Sequence, residues 1–282
     1  MKGFINLLKP EGMSSAYAVT AVKKKFNVPC GHMGTLDPMA SGVLPVGIAK
    51  TSRLFQYLLD KEKTYVATFK FGVLTDTLDI TGKITQSTGV VPSLAQIKSV
   101  LNEFIGKISQ MPPKYSAKCI DGKRGYQLAR QGVEFQLQPK QVTILDIKCL
   151  GQSSQDEFDF QIDCTGGTYI RSLARDIGQK CSTVAVMSKL KRTRCGIFTL
   201  DNGVSVEQLK NATNPEQYLI APDDSLSFEK VVLTNEQATR ILNGLYDKYQ
   251  LSDGLYRVYN QMEFWGVGKV EEGILRINSY VR

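Results

Sequence analysis

The chain has a single histidine, His32, and its six cysteines are scattered without one CxxC pair. Cys30 and His32 could supply two ligands to a metal, but no neighbour completes the usual four-ligand set, so no metal site is expected. Wide cysteine spacing argues for reduced thiols rather than a disulfide framework. No stretch approaches the ~20 apolar residues that a membrane span needs. The opening MKGFINLLKPEG holds an apolar run of only five or six positions, too short for the core of a signal peptide. A membrane partner is therefore not expected, and the cytoplasm is the expected compartment. Internal repeats and low-complexity tracts are absent as well.

What is present is the composition of a globular protein. The 282 residues, 42% hydrophobic and 22% charged, can bury a real core and are expected to form one large domain and a small one. The formal net charge of +8 points weakly to an anionic partner. Its location says more. Residues 225–282 carry seven Lys/Arg and seven Asp/Glu, so the whole surplus lies in residues 1–224. Within that part, residues 107–142 hold Lys107, Lys114, Lys118, Lys123, Arg124, Arg130 and Lys140 against Asp121 and Glu134, with Tyr115 and Tyr126 interleaved. Taken alone, this stretch reads as a solvated surface loop.

The local patterns describe an α/β mixture. GFINLLKP reads as a strand stopped by Pro10, and Ser14 or Ser15 can cap a helix running through Phe26. VLPVGI and TYVATFKFGV read as strands, as do VTILDIKCL and EFDFQIDC. Ser93 with Gln96, and Ser205 with Gln208, have capping-box spacing, the first opening a helix to about Ile105. SLARDIGQKC reads as a helix, and NATNPEQYLIAPDDS, 211–225, as a linker. KVVL, LYRVY, EFWGVGKV and GILRI then form a small, mainly β module.

One carboxylate stands out. In GHMGTLDPMASGVLPVGIAK, residues 31–50, Asp37 sits alone among glycines, proline and small apolar residues. Pro38 biases it toward an extended backbone, which helps fix where the carboxylate points. Asp-Pro is also a common turn starter, and both readings stand on the residues alone.

The motif GHMGTLDPMASGVLP resembles the signature of the TruB family of tRNA pseudouridine synthases. NLLKPEGMSS is similar to that family's KP.G.SS motif, and YLLDKEKTYVATFKFGVLTDTLDITG to the segment with its tyrosine and TDT.D loop. GGTYIRSLARDIG resembles GTYIR.L..D.G, and LKRTRCGIF resembles L.R...G.F, all in family order. Between the last two, KCSTVAVMS lacks the glycine and histidine often found there. The resemblance implies a mixed, largely antiparallel central sheet of the pseudouridine synthase type. Residues 1–224 would be the catalytic domain, 107–142 its inserted RNA-gripping basic arm, and 225–282 a PUA-like β module.

It also implies roles, residue by residue. Asp37 matches the catalytic aspartate, Tyr65 the tyrosine that stacks on the target base, and Arg171 the arginine paired with the aspartate. Tyr169 and Leu190 match positions lining the uridine pocket, and His32 the histidine that supports the opened T loop. Asp76 is expected to organise the loop beside the site, and Lys9, of the KP.G.SS motif, to join the RNA-binding residues. Lys118, Lys123, Arg124 and Arg130 would hold RNA from the arm. The implied partner is the T arm of tRNA, with its uridine, conventionally uridine 55, as substrate; no cofactor, guide RNA or second subunit is implied.

These residue types suit the chemistry. Isomerising uridine breaks the bond from C1′ to N1, turns the base and rejoins it through C5, consuming no external reagent. An ionised carboxylate can attack C6 of the base or C1′ of the ribose, and the residues leave both open. Burial among Gly, Leu and Pro would protonate Asp37, and a nearby guanidinium is expected to reverse that tendency. The target base must flip out, and a flat imidazole can brace the gap it leaves. Two further readings are an RNA-folding protein whose catalysis is lost, opposed by the intact Asp37, Tyr65 and Arg171 set, and a guide-dependent subunit, opposed by the lack of basic extensions.

Overall fold

The protein is described here by a computed structural model covering residues 2–58, 61–116, 119–120, 122–133, 135–246 and 248–282. Lys118 lies outside the described residues, as do the side chains of Lys123, Arg124 and Arg130, so those expectations are not addressed by the fold.

The chain opens with strand β1 (Gly3–Lys9), ended by Pro10, and helix α1 (Ser15–Phe26). Ser14 is the cap, accepting the Tyr17 N–H at 3.2 Å. Strands β2 (Cys30–His32), β3 (Ser41–Ile48) and β4 (Lys63–Phe71) follow, then a hairpin of β5 (Val73–Thr75) and β6 (Ile84–Ser87). Helix α2 (Leu94–Leu101) starts at the Ser93–Gln96 capping box and tightens into a 3₁₀ turn through Phe104. Next come β7 (Gly106–Gln110), the short pair β8 (Cys119–Ile120) and β9 (Lys123–Arg124), and helix α3 (Gly125–Arg130). Strands β10 (Lys140–Ser154) and β11 (Glu157–Cys164) precede helix α4 (Ile170–Lys180) and strand β12 (Ala185–Cys195). Short strands β13 (Phe198–Thr199) and β14 (Val204–Ser205) lead to helix α5 (Val206–Asn211), then β15 (Leu219–Ile220).

Apart from the β5–β6 and β8–β9 pairs, these strands form one sheet in the order β14-β1-β3-β12-β4-β11-β10-β7, off which β2 pairs with β3, β13 with β12 and β15 with β1. Only β1 with β14 and β3 with β12 run parallel, so the sheet is mixed and largely antiparallel. Period-two alternation splits β1 between two cores. Ile5 and Leu7 belong to the core covered by α1, α2, α4 and α5 on one face, while Phe4 and Leu8 belong to the opposite cluster. Strand β12, which the local pattern did not single out, lies at the centre of the sheet.

The tail forms a second sheet, β16 (Glu229–Leu233), β17 (Gly254–Asn260), β18 (Glu263–Glu271) and β19 (Ile274–Tyr280), paired in chain order. Helix α6 (Asn235–Leu242) closes a core of its own around Trp265 and Leu275. A second face of this sheet shares the Phe4, Leu54 and Phe198 cluster through Tyr259, Phe264 and Val267. The stretch expected to be a linker is correspondingly tied down. β15 pairs with β1, Ile220 opposite Phe4, because its apolar residues gain more from the sheet edge than Asn, Pro and Asp gain from solvent. Among the described residues no helix is long and apolar enough to cross a membrane.

Candidate active site

A cleft of about 390 Å³ opens where β4, β12, the N-terminus of α4 and the loop before Asp37 meet. The loop is fixed from below. The Ser15 hydroxyl, in the first turn of α1, accepts the Leu36 N–H at 2.9 Å and donates to the Leu36 carbonyl at 2.7 Å. The Gly12 N–H donates to the Pro38 carbonyl at 2.8 Å, and the Ala40 N–H to that of Asp37 at 3.0 Å. Asp37 is thus both a turn residue and a cleft residue; the two readings of its sequence context describe one backbone.

Lys9, expected among the RNA-binding residues, is spent on this support. It is 1% exposed, and its ammonium donates to the carbonyls of Met13 (2.6 Å), Pro10 (2.8 Å) and Pro38 (3.2 Å). Burial pulls its pKa down to about 8 against the attraction of Asp37 and Glu11. A strand-end lysine pointing into the protein finds three carbonyls before it finds solvent.

Arg171, in the first turn of α4, grips the Asp37 carboxylate in a two-pronged pair, Nε to Oδ2 at 3.0 Å and Nη2 to Oδ1 at 3.1 Å. The rest of its fork is taken up. Nη2 donates to the Tyr115 carbonyl at 2.9 Å, and Nη1 to the Thr77 carbonyl at 2.9 Å and to Asp79 Oδ2 at 3.4 Å. Asp37 keeps 34% of its side-chain surface open to the cleft, yet the protein packed around it raises its pKa above the ordinary carboxylate value. Arg171 opposes this shift and Asp79 adds to it. The guanidinium therefore limits the rise without reversing it, because the loss of solvent around the carboxylate outweighs its attraction.

Asp79, rather than Asp76, is the acid of the TDTLDITG loop that meets the cleft machinery. Its Oδ1 accepts from the Thr77 hydroxyl (2.9 Å), the Thr81 N–H (3.0 Å) and the Thr81 hydroxyl (2.5 Å), leaving Oδ2 for Arg171. Asp76 is exposed, does not line the cleft, and accepts the Lys83 N–H at 2.8 Å across the hairpin turn. The two acids differ by one hairpin turn, which their spacing in the sequence could not resolve.

The opposite wall is β12. Met187, Leu190 and Arg192 all line the cleft, which a strict two-residue alternation forbids for positions three apart. A register shift between Met187 and Lys189 resets the alternation. Arg192 is buried; its Nε donates to the Val43 carbonyl at 2.7 Å and its Nη2 to the Gly34 carbonyl at 2.9 Å. Its backbone presses on Gly42, where a Cβ would lie 2.1 Å from the Arg192 carbonyl oxygen at a φ of +103°, so only glycine fits. Tyr65 pairs with Arg192 across the strands. Burial pushes its phenol up to about 12 against the pull of the neighbouring guanidinium, so the hydroxyl stays protonated near neutral pH.

Tyr169 lines the cleft just ahead of α4, and Lys63 and Lys140 border it. Lys140 lies over Gly167, with its Nζ 2.2 Å from where a Cβ would stand. His32, on β2, does not line the cleft; its Nδ1 is buried without a hydrogen-bond partner, and burial together with Arg192 lowers its pKa. Arg192, Asp79 and Lys63 escaped the motif reading; Arg192 and Lys63 sit in the quoted segments LKRTRCGIF and DKEKTYVATF, but nothing local marks them as buried. Among the described residues no group of three His, Cys, Asp or Glu is gathered in a way that could hold a metal ion.

Residues 23–170 match the profile of the TruB family pseudouridylate synthase N-terminal domain, and residues 171–237 match that of the tRNA pseudouridylate synthase B C-terminal domain. The chain belongs to the TruB family. It is 39% identical over 281 residues to tRNA pseudouridine synthase B of Alkaliphilus oremlandii, covering 96% of this chain and 93% of that one. With tRNA pseudouridine synthase B of Aquifex aeolicus it shares 37% identity over 282 residues, covering 98% of each. Among solved structures, one chain of an H/ACA RNP bound to a substrate RNA containing 2′-deoxyuridine superposes with a TM-score of 0.73 at 23% identity, over 99% of this chain and 85% of that one, a likeness of fold. A chain of a Cbf5-Nop10-Gar1 complex gives 0.70 at 26% identity, over 98% and 79%. The junction of the two TruB profiles falls between Ile170 and Arg171, inside α4, and so inside the cleft wall.

Proposed function

We propose that this TruB family member isomerises uridine to pseudouridine in the T loop of tRNA, with Asp37 as the nucleophile and without a guide RNA. The observation that carries the reading is the two-pronged Arg171–Asp37 pair at the floor of a cleft that combines the rings and apolar side chains of Tyr65, Tyr169, Met187 and Leu190 with the cations Lys63, Lys140 and Arg192. The relatives that match almost end to end are tRNA pseudouridine synthases B, and in this reading the chain works alone, as a monomer.

In this reading the T-loop uridine flips into the cleft between Tyr65 and Leu190, and Asp37 attacks either C6 or C1′. The bond from C1′ to N1 breaks, the base turns and C1′ bonds to C5; the bond from Asp37 to C6 or C1′ breaks in turn, its electron pair returning to the carboxylate, and the proton leaving C5 is balanced by one gained at N1. Arg171 holds the carboxylate at one angle through the sequence, since a point charge could not fix both oxygens. Tyr65, held protonated, offers a ring face and a hydroxyl that relays a proton rather than a phenolate base. His32 braces the opened loop outside the cleft, the arm at 107–142 grips the stem, and the PUA-like tail at 225–282 follows the catalytic domain at 1–224.

The test is incubation of the purified chain alone with a T-arm stem-loop, followed by pseudouridine-specific chemical mapping. Conversion at the T-loop uridine by wild type and none by Asp37→Asn is the expected result. Conversion only after a guide RNA is added, or by the Asn variant, would overturn it.

A further inference from the structure

We infer that Gln110, the last residue of β7, is a positioning residue for the reaction, acting through the backbone of Tyr169. Its side chain is 99% withdrawn from solvent, with a relative exposure of 1%, and it spends both ends of its amide on one residue. Oε1 accepts the Tyr169 N–H at 2.8 Å, and Nε2 donates to the Tyr169 carbonyl at 3.1 Å. Two peptide planes, one on each side of the Tyr169 Cα, are thereby held by one rigid carboxamide.

The need for this clamp lies in how α4 begins. Helices α2, α5 and α6 each start with a local capping box, Ser93–Gln96, Ser205–Gln208 and Thr234–Gln237. In each, the glutamine three residues on returns to the N–H of the capping residue. At α4 the capping position is Tyr169, whose one side-chain oxygen sits at the far end of a ring that lines the cleft, and it makes no cap bond. Three residues on stands Ser172, whose hydroxyl donates instead to the Met111 carbonyl at 2.8 Å. The glutamine of the box is supplied from a different strand.

Gln110 is also the first of a series of ties. Beyond it the chain runs along the start of α4, where Met111 accepts from Ser172 and Arg175, and the Tyr115 carbonyl accepts from Arg171 Nη2. The root of the arm is thus bonded to Tyr169, Ser172 and Arg171 within one helical turn. Fixing Tyr169 at the cap fixes the direction from which Arg171, two residues later, reaches Asp37. An error of an ångström at such a point costs rate before it costs binding.

This inference rests on the proposed roles of Tyr169 and Arg171, and the experiment separates the two. Gln110→Met preserves length and removes both bonds; Gln110→Glu keeps the acceptor for the Tyr169 N–H and loses the donor. Single-turnover conversion of the T-arm stem-loop is expected to fall about tenfold or more for Met and less for Glu, with the dissociation constant for the stem-loop within about threefold of wild type. Rates are taken per folded molecule, with melting curves confirming the folded fraction. Rates for both variants within about twofold of wild type, or affinity lost in step with rate, would overturn the inference while leaving the function intact. An inactive wild type would overturn the function instead, and hydrogen exchange then judges the clamp: faster exchange at the Tyr169 amide in both variants than in wild type, most in Met, supports it, and unchanged exchange sinks it.

Discussion

The wall of the cleft built from α4 and the wall built from β12 each bury a guanidinium, but the first is met by carboxylates and the second by carbonyl oxygens and a phenol. Arg171 is compensated by Asp37 and Asp79. Among the described residues no carboxylate pairs with Arg192, which is satisfied by Val43 and Gly34 and lies beside the Tyr65 phenol. A buried guanidinium needs its hydrogen bonds filled, and its uncancelled charge remains a cost until a counter-charge arrives. Where the charge is cancelled, the arginine aims the carboxylate proposed to react. Where it is not, the positive field stays in the cleft, to be met by an anionic substrate.

The comparison breaks most visibly at its acidic member. Asp37→Asn is expected to abolish conversion, measured as pseudouridine per stem-loop, while tRNA affinity stays within a few-fold. The same variant should melt higher near neutral pH. Because the folded state raises the Asp37 pKa, the native protein binds this proton more tightly than the unfolded chain does. Stability owed to the group therefore falls as pH rises from an ordinary aspartate value of about 3.9 through the raised value, and stays low above it. A gain of roughly 2–4 °C for the Asn variant at neutral pH, closing as the pH falls through that window, is the expected outcome of thermal melts. A loss at neutral pH would show that the Arg171 attraction wins. The wild-type rate should fall as the pH drops through the raised value, since the proposed attacking species is the carboxylate.

Arg171→Leu comes next, because it leaves Asp37 and Asp79 facing each other without a cation. Breaking such a pair typically costs ~3–5 kcal/mol, read from denaturant unfolding, and conversion should reach background. Arg171→Lys should restore folding better than rate; a Lys variant with normal rate would show that the two-pronged geometry is unimportant. Arg192→Met sharpens the contrast. It strands two backbone acceptors and no carboxylate, at about 1–3 kcal/mol each, so it should cost less stability than Arg171→Leu. Unfolding curves that rank the two variants the other way would refute the distinction between the walls.

The smallest effect concerns salt. Changing Lys118, Lys123, Arg124 and Arg130 together to Gln should flatten the slope of log affinity against log salt by about 2 to 4, as the neutral tail contributes little. The tail shares a core with the main sheet through Phe264 and Val267, so deleting it would uncover Leu54 and Phe198. Its electrostatic weight is better tested by Lys248→Gln with Arg276→Gln, for which binding isotherms should show a slope nearly unchanged. If the tail pair flattens the slope as much as the arm set, the assignment of the grip to the arm falls.

Much of this protein is settled by the order of its residues. Strand and helix starts follow from local chemistry: Pro10 withholds an N–H from the end of β1, and the Ser93 and Ser205 hydroxyls satisfy first-turn N–H groups within three residues of themselves. Asp37 and Arg171 stand out for a similar reason, because a family motif is a short string and a string can be read. What the tertiary structure alone decided are the relations between strings. Asp79 rather than Asp76 meets Arg171 because a hairpin turn aims one acid inward and the other at Lys83. Leu190 and Arg192 share a face with Met187 because a bulge resets a two-residue alternation. Lys9, basic in a basic protein, is buried because Met13, Pro10 and Pro38 turn their carbonyls toward it. In each case the partner lies across a turn, a bulge or a loop closure, and hydrogen-bond geometry in three dimensions decides which of two equivalent residues is spent on the fold and which faces the cleft.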